Sequence, residues 1–210
     1  MIRRSFAFLT AVALLGAAGP AQSQSNSSDL YARMQHVNAA LSTYQADVTV
    51  AVSTHGPPYI SPTLQGKAYF KKPDKNAVVF DTVPFLAQQA KHVVGQMEPP
   101  ADWPAIYDVT PTGDDGTTAT FKLVRKKPGR IEHVDVKVDD KTATITGMTY
   151  HYTDGGTIAF TQTYNEIGGN YLVKQQNGKV TIPNYNADVN STFSNYKVNV
   201  PVDDSIFQNN

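Results

Sequence analysis

The residues best suited to chemistry in this sequence are two histidine–carboxylate pairs. His133 and Asp135 occupy alternate positions of a run that reads as a strand, so their side chains share a face. His151 and Asp154 flank a bend and can turn toward each other. An imidazole beside a carboxylate can act as a general base or ligate a metal. Neither pair has the partners that catalysis requires. The chain has no Gly-x-Ser-x-Gly elbow, no His-Glu-x-x-His helix and no phosphate loop. The remaining histidines are His36, His55 and His92, and none of the five lies two to four residues from another. Local spacing therefore builds no metal site, and both pairs read as surface pairs. Asp114-Asp115 and Asp139-Asp140 read as turn formers. Arg125, Lys126, Lys127 and Arg130 read as a solvated strand edge protected by charge rather than a lipid or partner patch. The expectation is a protein that is not an enzyme, with no metal and no cofactor. A hydrolase working through His133 or His151 is the enzymatic alternative.

Composition narrows the remaining classes. Lys+Arg and Asp+Glu are 18 each, so no net field draws the chain to nucleic acid. Arg3 and Arg4 precede an apolar run from Phe6 to Ala18, and Gly19-Pro20-Ala21 ends it. This is the layout of a cleavable secretory signal, with an apolar run shorter than the ~20 residues a spanning helix needs. Residues 1–24 are expected to be the signal and 25–210 a single domain, periplasmic or secreted. The sequence has no cysteine, so neither a lipid anchor at the cleavage site nor a disulfide is expected. The core alone must hold the fold together.

The elements that must position these residues are mostly strands. Ser28 or Asp29 can cap a helix whose stripe is Leu30, Met34, Val37 and Leu41, ending near Ser42 or Thr43. The period then changes to two, with Ala46, Val48, Val50 and Val52 on one face. A second strand covers Thr63 to Lys71, a turn follows at Pro73-Asp74, and a third strand runs from Ala77 to Thr82. Pro84 to Gln96 reads as a helix between strands, and Pro99, Pro100 and Pro104 stiffen a loop around Trp103. From Ile106 onward the chain is strands joined by tight turns, among them Asn177-Gly178. The total is nine to eleven antiparallel strands, which must curl, split or close.

Three stretches together resemble the LolA/LolB-like outer-membrane lipoprotein carriers. One is the helix-to-strand segment Leu30 to Val52. Another is Gly66-Lys67-Ala68-Tyr69-Phe70-Lys71-Lys72-Pro73-Asp74-Lys75, similar to the family's glycine, strand and basic-Pro turn. The third is Phe193 to Asn199 followed by Asp203-Asp204-Ser205-Ile206-Phe207. The sequence departs from the family after the basic-Pro turn, where Lys75-Asn76-Ala77 replaces the carrier's arginine. The resemblance implies a mainly β fold, an unclosed antiparallel β-barrel with a helical lid, holding an acyl chain in an apolar cavity. The residues that would face the cavity are Val48, Val50, Phe70, Phe80, Phe121 and Phe160 on the sheet and Phe85, Leu86, Val93 and Met97 on the lid. Trp103 would plug the open end or seal the lid loop. The expected function is a periplasmic carrier for a lipid or lipidated protein, working as a monomer between inner- and outer-membrane partners. The alternatives are an envelope sensor or regulatory domain of the same fold and a structural β-sandwich without ligand.

Overall fold

The computed structural model describes residues 22–57, 59–82 and 98–208, with side chains from Ser27 onward. The expected signal segment and the helix expected over Pro84 to Gln96, with Phe85, Leu86, Val93 and Met97, lie outside the described residues. No helix among the described residues is long and apolar enough to cross a membrane.

Ten antiparallel strands form one continuous sheet. They are β1 (Thr43–Thr54), β2 (Thr63–Lys71), β3 (Lys75–Phe80), β4 (Tyr107–Asp114), β5 (Thr118–Arg125), β6 (Ile131–Asp139), β7 (Ile145–Tyr152), β8 (Thr157–Ile167), β9 (Asn170–Ile182) and β10 (Tyr185–Val198). Their order is β3-β2-β1-β10-β9-β8-β7-β6-β5-β4. The edges β3 and β4 do not pair, so the sheet stays open. β4 carries Pro111, which has no N–H to offer, and a register shift between Pro111 and Gly113. Among the described residues all strands belong to one sheet and no second sheet is stacked on it, which corrects the sandwich alternative.

Helix α1 (Gln22–His36) precedes the sheet, and a short α2 (Trp103–Ile106) precedes β4. α1 begins earlier than its expected cap and stops before Ser42, because Asn38 takes a left-handed conformation (φ 62°). The Asn38 side chain then bonds to the backbone of β9 in both directions. Its Oδ1 accepts from Tyr171 N at 2.7 Å and its Nδ2 donates to Tyr171 O at 2.9 Å. Leu30, Met34 and Leu41 of the expected stripe are buried.

A second correction concerns Asn177-Gly178. This pair sits inside β9, where it is paired with β8 and β10, and makes no turn. The hairpin lies further on, at Pro183-Asn184, with Asn184 at φ 64°. Gly178 has a packing role instead. A Cβ there would lie 2.9 Å from Cε1 of Phe160, its cross-strand neighbour, so the missing side chain is what leaves room for the ring.

Buried side chains form two clusters on one face of the sheet. The first gathers Leu30 and Met34 of α1, Trp103, Tyr107, Ala119, Phe121, Leu123, Val134, Val136, Val138, Ala143 and Met148. α1 therefore packs across the β4–β7 half. The second gathers Val48, Val50, Val52, Leu64 and Ala68, with Tyr44, Val78, Phe80, Val189 and Phe193 against it. Among the described residues, no side chain of α1 or α2 contributes to this second cluster.

Candidate functional site

The register fixes which side chains share the inner face. Directly opposed residues in an antiparallel pair point the same way. Starting from buried Val50, the cross-strand row runs through Ser191, Gln176 and Gln162. The parallel row starting from Val52 runs through Val189, Gly178, Phe160 and Met148. Apolar and polar rows thus lie side by side on the same surface.

The polar row is internally bonded. Gln162 Nε2 donates to Ile145 O at 2.8 Å and to the Tyr164 hydroxyl at 2.7 Å. The Tyr164 hydroxyl donates to Ile145 O, and Gln176 Nε2 reaches Gln162 Oε1 at 3.4 Å. Burial pushes the Tyr164 phenol well above its ordinary value, so it remains a neutral donor. Ser191 is buried and closes the row beside Val50. Alternation along β8 places Ile158, Phe160, Gln162 and Tyr164 on one face. That pattern was available in the sequence, but the polar members were not singled out there.

The expected cavity residues divide between the two clusters. Val48, Val50 and Phe80 meet in the second cluster. Phe70 stacks on Tyr44 with centroids 5.6 Å apart, and Tyr196 meets Tyr44 edge-on at 5.4 Å. Phe160 lies between the two halves, edge-on to Tyr150 at 6.3 Å. Phe121 and Trp103 belong to the first cluster, beneath α1. Trp103 is fully buried, stacks on Tyr31 at 5.9 Å and donates from Nε1 to Glu98 O at 2.8 Å. Truncating so large a buried ring costs about 3–5 kcal/mol.

Glu98 is the hub of this corner, and sequence reasoning passed it over. Its Oε2 accepts from the Tyr107 hydroxyl at 2.9 Å and its Oε1 from Arg125 at 3.1 Å. The Arg125 guanidinium also lies over the Tyr107 ring, 5.6 Å from its centroid. Arg125 is therefore a packing residue and not the solvated edge expected of it. Lys126 likewise folds back, donating to Pro104 O at 2.6 Å. A groove of about 450 Å³ opens elsewhere, at the end of α1, between Arg33, His36, Lys141, Ala143 and Tyr171.

On the opposite face His133 and Asp135 lie together as expected, 3.7 Å apart, while the second pair is rearranged. Asp154 accepts from Gly156 N at 3.0 Å and faces Arg130 at 3.5 Å, so the pairing expected between His151 and Asp154 does not form. His151 instead meets Asp135 at 2.9 Å and stacks on His133. Asp114, Asp115 and Asp139 accept from backbone N–H groups two or three residues on, as turn formers do.

Comparison with known proteins places this architecture. No protein-family model matches the sequence, and no curated protein sequence does. Solved structures do match the fold. A DUF1329 family protein from Desulfovibrio piger superposes with a TM-score of 0.67 at 16% identity, covering 89% of this chain and 97% of that one. A putative outer membrane lipoprotein-sorting protein domain from Vibrio parahaemolyticus gives 0.65 at 9% identity, covering 88% and 95%. A LolA superfamily protein from Nitrosomonas europaea gives 0.55 at 10% identity, covering 86% and 96%. The fold is LolA-like.

Proposed function

We propose that this protein is a periplasmic carrier for a lipid or the acyl chains of a lipidated protein. The observation that carries the proposal is the second apolar cluster on the inner face of an open, one-sheet half-barrel. Val48, Val50, Leu64, Phe80 and Phe193 gather there, and among the described residues no helical side chain joins them. Acyl chains need an apolar wall of this kind and little directional bonding. The neighbouring Ser191, Gln176 and Gln162 row supplies a few fixed donors and acceptors, suited to the ester or amide that joins a chain to its headgroup. The similarity to a protein described as a putative outer membrane lipoprotein-sorting domain agrees with this reading. So does the sequence pattern of a secretory signal. In this reading the protein performs no catalysis, and its partners are the lipidated cargo and the membrane components that give and receive it.

A fluorescent fatty-acid probe tests the proposal on the purified chain. Saturable binding is expected, displaced by a diacylated lipopeptide and not by the same peptide without lipid. Phe80→Ala and Phe193→Ala, both at half-buried positions, should each weaken the probe by up to about tenfold, or about 1.4 kcal/mol. No saturable binding, together with a native mass spectrum free of bound lipid, would overturn it.

A further inference from the structure

The face of the sheet opposite the apolar clusters carries an arrangement that lipid carriage does not use. Val134, Val136 and Val138 point into the core, so His133 and Asp135 point outward from β6. In the β6–β7 hairpin His133 stands directly opposite His151. Their rings stack with centroids 4.2 Å apart and planes 12° from parallel. Asp135 Oδ2 lies 2.9 Å from His151 Nε2 and 3.7 Å from His133 Nε2. One ligand atom from each of the three residues lies within 4.8 Å of the others.

We propose that His133, Asp135 and His151 bind a divalent late first-row cation, Zn²⁺ or Cu²⁺, on the outer face of the β6–β7 hairpin. The spacing fits. Bonds of about 2.0–2.2 Å in a tetrahedron put neighbouring ligand atoms about 3.3 Å apart. The two carboxylate–imidazole distances bracket that value, and binding requires the stacked rings to turn out of parallel so that both Nε2 lone pairs converge on the ion. Two imidazoles and one carboxylate are the donors these cations prefer where thiolates are lacking, and the chain has no cysteine. A water would take the remaining position.

One observation favours a ligand here over a plain ion pair. His133 Nδ1 is buried with no hydrogen-bond partner, while Glu132 Oε1 lies 3.8 Å away. A His133 that ligates through Nε2 donates Nδ1–H to such a carboxylate, the usual outer partner of a metal-bound histidine. Lys122 of β5, the cross-strand partner of Asp135, and Lys137, two residues on along the outer face of β6, are neighbouring cations that oppose metal entry.

Titration of the metal-free chain with ZnCl₂ and CoCl₂ tests the site. One saturable equivalent is expected, with Co²⁺ showing the intense visible bands of a four-coordinate complex. His151→Ala and Asp135→Asn should each weaken Zn²⁺ by about 10–100-fold. His55→Ala, which removes the separate His55–Asp188 pair, should change nothing. Lys122→Gln should tighten binding, a gain that misfolding cannot imitate. Absence of one-to-one binding below ~1 mM Zn²⁺, or Zn²⁺ binding indifferent to both His151→Ala and Lys122→Gln, would overturn the proposal.

Discussion

Asp204 joins two of the stretches on which the family resemblance rests. Its carboxylate accepts from Lys75 Nζ at 2.7 Å and Lys71 Nζ at 2.9 Å, so the tail after β10 is tied to β2 and β3. The Lys75 ammonium also lies 6.0 Å from the centre of the Phe207 ring. Lys75 stands in the region where the family carries its arginine, and here it holds the C-terminal tail. The Lys75 bond, then the Lys71 bond, keep the Asp204 carboxyl below its ordinary 3.8. A carboxyl whose folded pKa is depressed stabilises the fold above its unfolded pKa and loses that contribution as pH falls through the folded one. Asp204→Asn should therefore lower the thermal midpoint at pH 7, and the gap from wild type should close as the pH falls below the usual carboxylate range. Salt should narrow the gap as well, since the pair is exposed. That Val48, Val50 and Phe80 turn to one apolar face was legible at this scale from period-two patterning. The polar row and the histidine cluster were not. Each depends on side chains that meet across strands, and single-strand spacing does not reveal cross-strand register.

At the scale of elements, β2 and β3 approach more closely than side chains allow. Gly66 pairs with Phe80, and a Cβ on Gly66 would press on the Val79 carbonyl and lie 2.7 Å from Phe80 Cα. The obstacle is backbone, so no rotamer change relieves it. Gly66→Ala should cost about 1–3 kcal/mol in urea unfolding. It should speed hydrogen exchange in β3 while leaving β5 and β6 protected, a pattern that places the damage at one edge. Most elements were legible from alternation and turn residues, with errors where local signals misled. Asn177-Gly178 has the composition of a hairpin turn, yet β9 runs through it because the glycine is needed beneath Phe160. α1 begins before its expected cap, at Gln22, and ends at His36, where the left-handed Asn38 follows.

At the scale of the molecule, nearly every strand pairs with its neighbour in sequence. The exception is the seam between β1 and β10. Two meanders, β1–β3 and β4–β10, are sutured there, and the sequence offers no local signal for such a join. The count of strands was legible, but the seam was not. It determines that the edges are β3 and β4, consecutive strands on opposite sides of the opening. It also brings the apolar residues of β1 and β2 beside Val189 and Phe193 to complete the second cluster.

The seam also sets how the molecule yields to force. Tyr44, at the start of β1, lies opposite Val198, at the end of β10, so both chain ends leave the sheet from the same end of one strand pair. Tension between the termini pulls these strands apart crosswise, loading their hydrogen bonds one pair at a time rather than all at once in shear. In an optical-tweezers experiment, once α1 is peeled away, the seam should unzip at low force and release β1–β3 before β4–β10. Pulling instead between residue 56 and Val198, at opposite ends of the seam, loads the same bonds in parallel and should require a distinctly higher force. The same strands would thus be mechanically weak along the natural direction of the chain and strong across it.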